Sequence, residues 1–221
     1  MQIGVITNPN SGKNRHRPRR AEYLQAIIGP HGRVCQTAHT DDIKPALRDF
    51  LRADAKIWVA DGGDGAFHWM MKCGLELLEE PEFAHRQHLP LTLPANGGTI
   101  DFIARNAGIV GKAETLLARL RTRIEQDQPI GDIQFASLRI EGERRTAEGP
   151  RNEVTHEFAA APGGIGQRFF VEFYKYPRRN VGVMLKVVSE AICSLPASQS
   201  PLKPFPWSQR LRQGAGQLFA P

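Results

Sequence analysis

The chain has few cysteines and no long apolar segment. Its three cysteines (Cys35, Cys73 and Cys193) are far apart and form no CxxC pair, so neither a disulfide framework nor a zinc site is indicated. No uncharged apolar run approaches the roughly 18 residues that a transmembrane helix needs. The opening residues MQIGVITNP lack the basic and apolar segments of a signal peptide. These absences favour a reduced, cytoplasmic protein.

The composition is that of a folded protein. Hydrophobic residues make up 41% and charged residues 24% of the 221 positions, which excludes disorder throughout the chain. At roughly 150 residues per domain, this length corresponds to about one and a half domains.

Positive charge is concentrated in two stretches. Residues 13–20 contain five basic side chains and no acid, and residues 191–221 contain three and no acid. The two stretches together carry eight positive charges, whereas the formal charge of the whole chain is +6. All other residues therefore carry a net charge of −2. A nucleic-acid-binding protein would be more uniformly basic, and we expect no nucleic-acid partner. A local basic loop fits a phosphate ligand or an anionic membrane surface, and a solvated charged loop is the alternative.

The first 127 residues alternate between strand and helix patterns. Short β-branched runs predict strands, and apolar residues at helical spacing predict helices between them. This order predicts an α/β, Rossmann-like three-layer domain over residues 1–128, with a parallel sheet covered by helices on both faces. The predicted strands are 2–7, 33–38, 56–60 and 89–93, and the predicted helices are 19–28, 41–53, 67–78, 100–106 and 112–126.

The pattern changes after Pro129. Segments 130–141 and 154–161 resemble strands of an antiparallel meander, separated by a polar turn at 143–152, and segment 181–193 is more typical of a helix. We therefore expect part of a β-rich, sandwich-type second domain over 129–195. Residues 196–221 are rich in proline and basic, without periodicity, which predicts a loop or a disordered tail.

Three glycine-rich turns follow predicted strands: NPNSGK after the first, DGGDG after the third and ANGGT after the fourth. Ligands of open α/β sheets lie beyond the carboxyl ends of the strands, and glycine lets backbone N–H groups approach phosphate oxygens. Each turn alone could be an ordinary tight turn, but together they predict a phosphate site. The first is not a Walker A loop, because Asn14 follows Gly12-Lys13, and the second is not GxGxxG.

Asp64 is the acid held between two glycines, Gly63 and Gly65. A carboxylate there does not bind phosphate directly. It could orient a metal-bound water or accept the proton of an attacking hydroxyl, which makes Asp64 the predicted catalytic residue. The alternative is an N-cap for the helix that contains Phe67, and both roles could hold together.

The three turns together resemble the diacylglycerol kinase catalytic domain family, which includes bacterial lipid kinases and sphingosine kinases and is related to NAD kinases. The family's NPxSG, GGDGT and PxGTxN patterns correspond to Asn8-Pro9-Asn10-Ser11-Gly12, Gly62-Gly63-Asp64-Gly65-Ala66 and Gly98-Thr99-Ile100-Asp101. The resemblance covers residues 1–127 and is vague over 130–195.

This resemblance implies ATP as phosphoryl donor, Mg²⁺ as charge-neutralising cofactor and a lipid hydroxyl, such as that of diacylglycerol, as acceptor. Lys13 and the arginines after it would meet anionic phosphate of the nucleotide or the lipid headgroup. Transient contact with an anionic membrane surface would follow, and no oligomeric state is predicted. The implied nucleotide-binding residues are Asn8, Pro9, Asn10, Ser11, Gly12, Lys13, Thr40, Gly62, Gly63, Asp64, Gly65, Gly98 and Thr99.

The sequence departs from the family pattern at several points. Ala66 replaces the threonine of GGDGT, Asp101 replaces an asparagine and adds negative charge, and Ala95-Asn96-Gly97 adds length. No acidic DGE-type segment follows residue 195, so we expect an incomplete second domain. One alternative is a nucleotide- or phosphate-binding protein without kinase activity. An NAD kinase is a further alternative, but that family's second-domain motifs are missing after Pro129.

Other residues point to no further site. The seven histidines form no metal-ligand pattern. Trp58, Trp69, Met70 and Met71 are predicted to lie in the core rather than in a lipid pocket. In the tail, Phe205 and Trp207 favour exposed ends of an incomplete domain over membrane contact.

Overall fold

A computed structural model describes residues 2–98, 101–146, 149–158, 169, 171–173, 175–176 and 182–190. The chain divides into two compact units, Met1–Ala159 and Ala160–Pro221. In the second unit, residues 169, 171–173 and 182–190 are helical, which agrees with the helix predicted over 181–193. The predicted tail at 196–221, with Phe205 and Trp207, lies outside the described residues.

The first unit contains a four-stranded parallel sheet. Its strands are β1 (Ile3–Thr7), β2 (Gly32–Gln36), β3 (Ile57–Asp61) and β4 (Leu91–Pro94), in the order β2-β1-β3-β4. The chain leaves β1 for one neighbour, β2, and returns to the opposite side of β1 as β3. The order therefore reverses between β1 and β3, the position at which open α/β sheets bind ligands.

Among the described residues of the first unit, five α-helices connect and follow these strands. They are α1 (Arg20–Ile28), α2 (Ile43–Arg52), α3 (Asp64–Leu78), α4 (Phe102–Asn106) and α5 (Ala113–Glu125).

Two apolar cores lie on opposite faces of the sheet. Side chains alternate along a strand, so Ile3 and Val5 of β1 pack in one core with α1 and α5 residues, and Ile6 packs in the other with α2 and α3 residues. The two faces are thus both covered by helices. This arrangement confirms the predicted three-layer, Rossmann-like α/β architecture.

The start of the second helix differs from the prediction. Residues Thr40–Asp42 form a 3-10 turn, and α2 begins at Ile43. The turn is closed by a capping box in which the His39 backbone N–H donates to Asp42 Oδ2 at 2.9 Å. His39 is thus the N-cap of the turn, and the acid three residues later accepts its free backbone N–H group.

A second, antiparallel sheet contains β5 (Leu138–Thr146) and β6 (Gly149–Glu157). Its register runs from Leu138↔Glu157 to Thr146↔Gly149, so most of the predicted polar turn at 143–152 belongs to strands. Residues 130–137 are not strand. The prediction of antiparallel β structure after Pro129 is confirmed, but its bounds were wrong. Apolar side chains of these strands are also exposed, since Leu138 and Val154 have 55% and 50% of their surface accessible. Exposure in these strands is therefore not confined to polar residues.

No helix among the described residues has the length and apolar character needed to cross a membrane.

Candidate functional site

A pocket of about 340 Å³ lies beyond the carboxyl ends of the parallel strands. All three glycine-rich turns contribute to its wall, together with the segment that follows β2. The lining residues are Asn8, Ser11, Gly12, Thr37, Ala38, His39, Thr40, Ile43, Gly63, Gly65, Ala66, Trp69 and Gly98. The strand-end location expected from the sequence is thus where the turns come together.

Hydrogen bonds fix the first turn beside the pocket. The Asn8 side chain accepts from the Asn10 backbone N–H at 2.8 Å, an Asx-turn geometry that begins the reversal of the chain. Asn10 Nδ2 donates to the carbonyl of Ala38 at 3.0 Å. This bond ties the turn after β1 to the segment after β2, with Ser11 and Gly12 left to line the pocket.

The second and third glycine turns pack backbone against backbone. A Cβ added to Gly98 would lie 2.4 Å from the Cα of Gly63, and one added to Gly97 would lie 2.7 Å from the Gly62 nitrogen. Real side chains do not reach such distances, so these positions require glycine for packing between the turns. Their glycines act partly as spacers and not simply as groups that open the backbone to phosphate.

Gly65 is different, because nothing lies within 4 Å of the position of an added Cβ. It lies in the first turn of α3 and lines the pocket with Ala66. The free N–H groups and partial positive charge of a helix start favour an anion. Gly65 therefore leaves open space at the N-terminus of α3.

Asp64 caps a neighbouring helix instead of its own. Gly63 is the N-cap of α3, and the Asp64 carboxylate accepts from the backbone N–H groups of Phe102 and Ile103, both at 2.9 Å. The alternative reading of Asp64 as the N-cap of the Phe67 helix is therefore wrong. The carboxylate joins the starts of α3 and α4 and remains partly exposed.

A buried ion pair lies directly beneath the turns. Asp61, the last residue of β3, is fully buried, and Arg20 is 5% exposed. The guanidinium binds both carboxylate oxygens, with Nε–Oδ2 at 2.9 Å and Nη2–Oδ1 at 2.8 Å. Thr7 Oγ1 donates to the same carboxylate at 2.6 Å, and Asn14 Nδ2 does so at 3.1 Å. The network joins the ends of β1 and β3 to the start of α1.

Glu114, near the start of α5, extends this network. It pairs with Arg20, and also with Arg17 at 2.6 Å. Burial alone would lower the pKa of Arg20, but hydrogen bonds to Asp61 and Glu114 raise it above the ordinary value. Burial alone would raise the pKa of Glu114, yet its backbone hydrogen bond and the two arginines hold that pKa below the ordinary value.

The structure corrects the predicted role of the basic loop. Arg20 binds Asp61 and Glu114, Arg17 binds Glu114, and Arg19 binds Glu22 at 2.6 Å. These partners lie elsewhere in the chain, so the loop's acid-free sequence does not make it a free cationic surface. Of its five cations, Arg15 has no ion-pair partner among the residues that the structure describes.

Lys13 binds protein groups and does not line the pocket. Its ammonium lies 2.6 Å from Asp101 Oδ2 and 2.8 Å from the Asn96 carbonyl. Asp101 has φ of 53°, a left-handed conformation that aspartate tolerates, and its Oδ1 accepts from the Gly98 N–H at 2.8 Å. The negative charge that Asp101 adds is therefore balanced by Lys13 within the turns.

The predicted nucleotide-binding residues thus fall into two groups. Pro9, Asn10, Lys13, Gly62 and Asp64 hold or adjoin the turns without lining the pocket, and Thr99 lies outside the described residues. Seven residues line the pocket: Asn8, Ser11, Gly12, Thr40, Gly63, Gly65 and Gly98.

Trp69 is the aromatic residue that the sequence interpretation misplaced. Trp58 and Met70 are fully buried, as predicted, but Trp69 is 38% exposed and lies in the pocket wall. Its spacing from Gly65, four residues along α3, was the signal that it shares a helix face with the glycine turn.

The sheet, its strand-end pocket and the converging turns define a protein of the open α/β class. The chain belongs to the diacylglycerol kinase catalytic domain family, whose model matches residues 2–133.

Solved structures show a partial likeness. A diacylglycerol kinase from Bacillus anthracis str. Sterne is 16% identical, with a TM-score of 0.42 over 55% of this chain. A "putative diacylglycerol kinase" from the same source is 17% identical, with a TM-score of 0.42 over 55% of this chain. The chain spans 42% of the length of each. No curated protein matches the chain.

Proposed function

We propose that the chain is an ATP-dependent lipid kinase that transfers the γ-phosphoryl group of Mg·ATP to a lipid hydroxyl, such as that of diacylglycerol. The observation that carries the proposal is the convergence of all three glycine turns on one pocket at the start of α3. Family membership supports kinase chemistry of this kind. Phosphoryl transfer depends mainly on positioning and charge neutralisation, and a helix N-terminus held between rigid turns can contribute to both.

The phosphates would bind at the start of α3. The open space at Gly65 gives them access to the helix N-terminus, and the packed pair Gly63 and Gly98 keeps the two turns at a fixed separation. The Asp61–Arg20 pair holds the strand ends that carry the first two turns. Pre-organisation of this kind keeps the donor groups in place before the ligand arrives.

Asp64 would serve as the base that accepts the proton of the lipid hydroxyl. Its two oxygens each accept one N–H from α4, which fixes the carboxylate while leaving a lone pair on each oxygen. Mg²⁺ in such kinases is bound through substrate phosphates and one or two carboxylates, and a partly exposed hard oxygen donor such as Asp64 fits that role. When bound, the ion neutralises phosphate charge.

The test is transfer of labelled γ-phosphoryl from Mg·ATP to diacylglycerol in mixed micelles. Wild type should form phosphatidic acid, and Asp64→Asn should lower turnover by about 10²- to 10⁴-fold, the usual effect of removing a general base. ATP binding measured without Mg²⁺ should persist, because asparagine keeps one of the two oxygen acceptors that bind the α4 backbone. Unchanged turnover in Asp64→Asn would remove Asp64 from the chemistry.

A second candidate is a nucleotide-binding protein without transfer activity. It is favoured by Ala66, which lacks the family's threonine hydroxyl in the pocket wall, and by Lys13, whose ammonium is already paired with Asp101. The same assay separates the two candidates. Saturable ATP binding without phosphorylation of any tested lipid would favour this second function over the kinase.

A further inference from the structure

An exposed tryptophan lies in the wall of the proposed phosphate pocket. Trp69 keeps 38% of its surface accessible, although aromatic side chains of this size are usually well buried. Trp69 and residues of all three glycine turns line the same pocket. The kinase proposal assigns no role to this ring.

The positions along α3 place the ring beside the phosphate end of the pocket. Gly65, Ala66 and Trp69 lie on one helix face, and all three line the pocket. Four residues of helix rise about 6 Å, so the ring is about one turn from the open helix start. Glycine and alanine leave the space between them free. A phosphate bound at the helix start would thus lie about one helical turn from the apolar surface of Trp69.

A second part of the wall comes from the segment after β2. Thr37, Ala38, His39, Thr40 and Ile43 line it. This wall mixes hydroxyl, imidazole and aliphatic groups, whereas the glycine turns offer backbone. The pocket therefore has a phosphate-type end and an end suited to a flat, partly polar ring.

Neighbouring side chains restrain the Trp69 ring. Lys72 Nζ lies 5.1 Å from its centroid, a cation–π distance. The His68 ring meets it edge-on with ring centroids 5.9 Å apart. The His68 ring also lies edge-on to the Phe158 ring, with centroids 6.1 Å apart. A ring held in this way loses little conformational freedom when a ligand stacks on it.

We propose that Trp69 is the stacking platform for the base of the bound nucleotide, with the phosphates at Gly65. The inference rests on the proposed nucleotide-dependent function and adds the residue that binds the base. Stacking is tolerant of base identity, so Trp69 would recognise the presence of a base. The lining residues of segment 37–43 would select among bases.

The test compares Mg·ATP with inorganic tripolyphosphate, which carries phosphates but no base, by calorimetric titration of the whole chain. Loss of one stacked base weakens binding about 5- to 150-fold. Trp69→Ala should weaken Mg·ATP by that factor and leave tripolyphosphate within about twofold. Trp69→Phe should retain most of the ATP affinity. Tyr23→Ala is the matched control, because Tyr23 is a 56% exposed aromatic outside this pocket.

Tryptophan fluorescence gives an independent readout. Mg·ATP should quench part of the emission of wild type, and that change should be absent in Trp69→Phe, which keeps Trp58 and Trp207.

The outcomes separate the two proposals. If wild type binds neither ligand, the proposed function fails, and base stacking fails with it. If wild type binds both and Trp69→Ala leaves ATP affinity unchanged, or weakens both ligands equally, only the stacking role is overturned. Unchanged ATP affinity with reduced lipid phosphorylation would assign Trp69 to the acceptor side and also overturn stacking.

Discussion

At the scale of single residues, the largest difference between sequence and structure concerns Arg20. It belongs to a run of five cations, which favoured an anionic ligand, yet its guanidinium is buried against Asp61. One signal was present in the sequence. Arg20 begins the stripe that continues with the buried Leu24 and Ile28 on the same face of α1. The partner could not be predicted, because a contact across 41 residues depends on the fold.

This pairing predicts a stability defect instead of a simple ligand-binding defect. Arg20→Leu leaves the Asp61 carboxylate buried without its cation, and breaking such a pair costs about 3–5 kcal/mol. Urea unfolding followed by circular dichroism measures the change. Arg19→Leu is the control, because Arg19 is exposed and its pair with Glu22 should contribute under about 1 kcal/mol. Equal stability of both variants, with lost phosphate binding in Arg20→Leu, would restore the anionic-ligand role.

At the scale of elements, the sequence predicted where the glycine turns lie. It did not predict the separate role of each glycine. Strand-terminal glycines indicated a phosphate site, whereas the structure separates packing glycines such as Gly98 from the open Gly65. The same limit applies to β5 and β6. Their location after Pro129 was predictable, but residues 142–146 (GERRT) and 149–153 (GPRNE) contain no large apolar side chain. They therefore show no alternation typical of a strand and resembled a turn.

The two kinds of glycine should respond oppositely to alanine. Gly98→Ala forces a Cβ to within 2.4 Å of the Gly63 Cα and should destabilise the protein by about 1–3 kcal/mol, as overpacking does. Gly65→Ala adds a methyl group to open space in a helix and should stabilise it by about 0.5–1 kcal/mol. Thermal unfolding of the two variants measures the contrast. Destabilisation of similar size in both would show that the distinction between the turns is mistaken.

At the scale of the whole molecule, the α/β architecture followed from alternation and strand-end glycines, since both reflect local physics. The distribution of charge on the surface could not be predicted from the sequence, because ion pairs join distant segments of the chain. Acids outside the basic loop pair with most of its cations, so the five basic residues of the acid-free stretch 13–20 overstate the positive surface beside the pocket. Contact with an anionic membrane surface remains a prediction, with weaker support from this loop than the sequence implied.

The same distant pairings predict how the molecule responds to acid. Hydrogen bonds from Lys56 and Arg86 lower the pKa of Asp54 from 3.8 to about 2. The pKa values of Glu80, Glu82, Glu114 and Glu125 are also lowered from 4.5. A carboxyl whose folded pKa is depressed stabilises the fold above its unfolded value, and this stability is lost as pH falls through the folded pKa. The raised pKa of Arg20 acts only in strong alkali and drops out of this range.

We therefore expect the contribution of these carboxyl groups to the free energy of unfolding to vary little between pH 7 and pH 5. Below about pH 4.5 this contribution should fall. Urea unfolding at pH 7, 5, 4 and 3 measures the profile. Glu114→Gln should cost about 1–2 kcal/mol at pH 7, because a charged hydrogen-bond acceptor is lost. The gap to wild type should narrow as pH falls below 4.5, because the pKa of Glu114 is lowered in the folded state and the unfolded wild-type chain then binds the proton more readily than the folded one. A steep loss that begins near pH 6.5 would instead assign acid sensitivity to histidines, and a gap that stays constant with pH would show that the charge of Glu114 is not what stabilises the network.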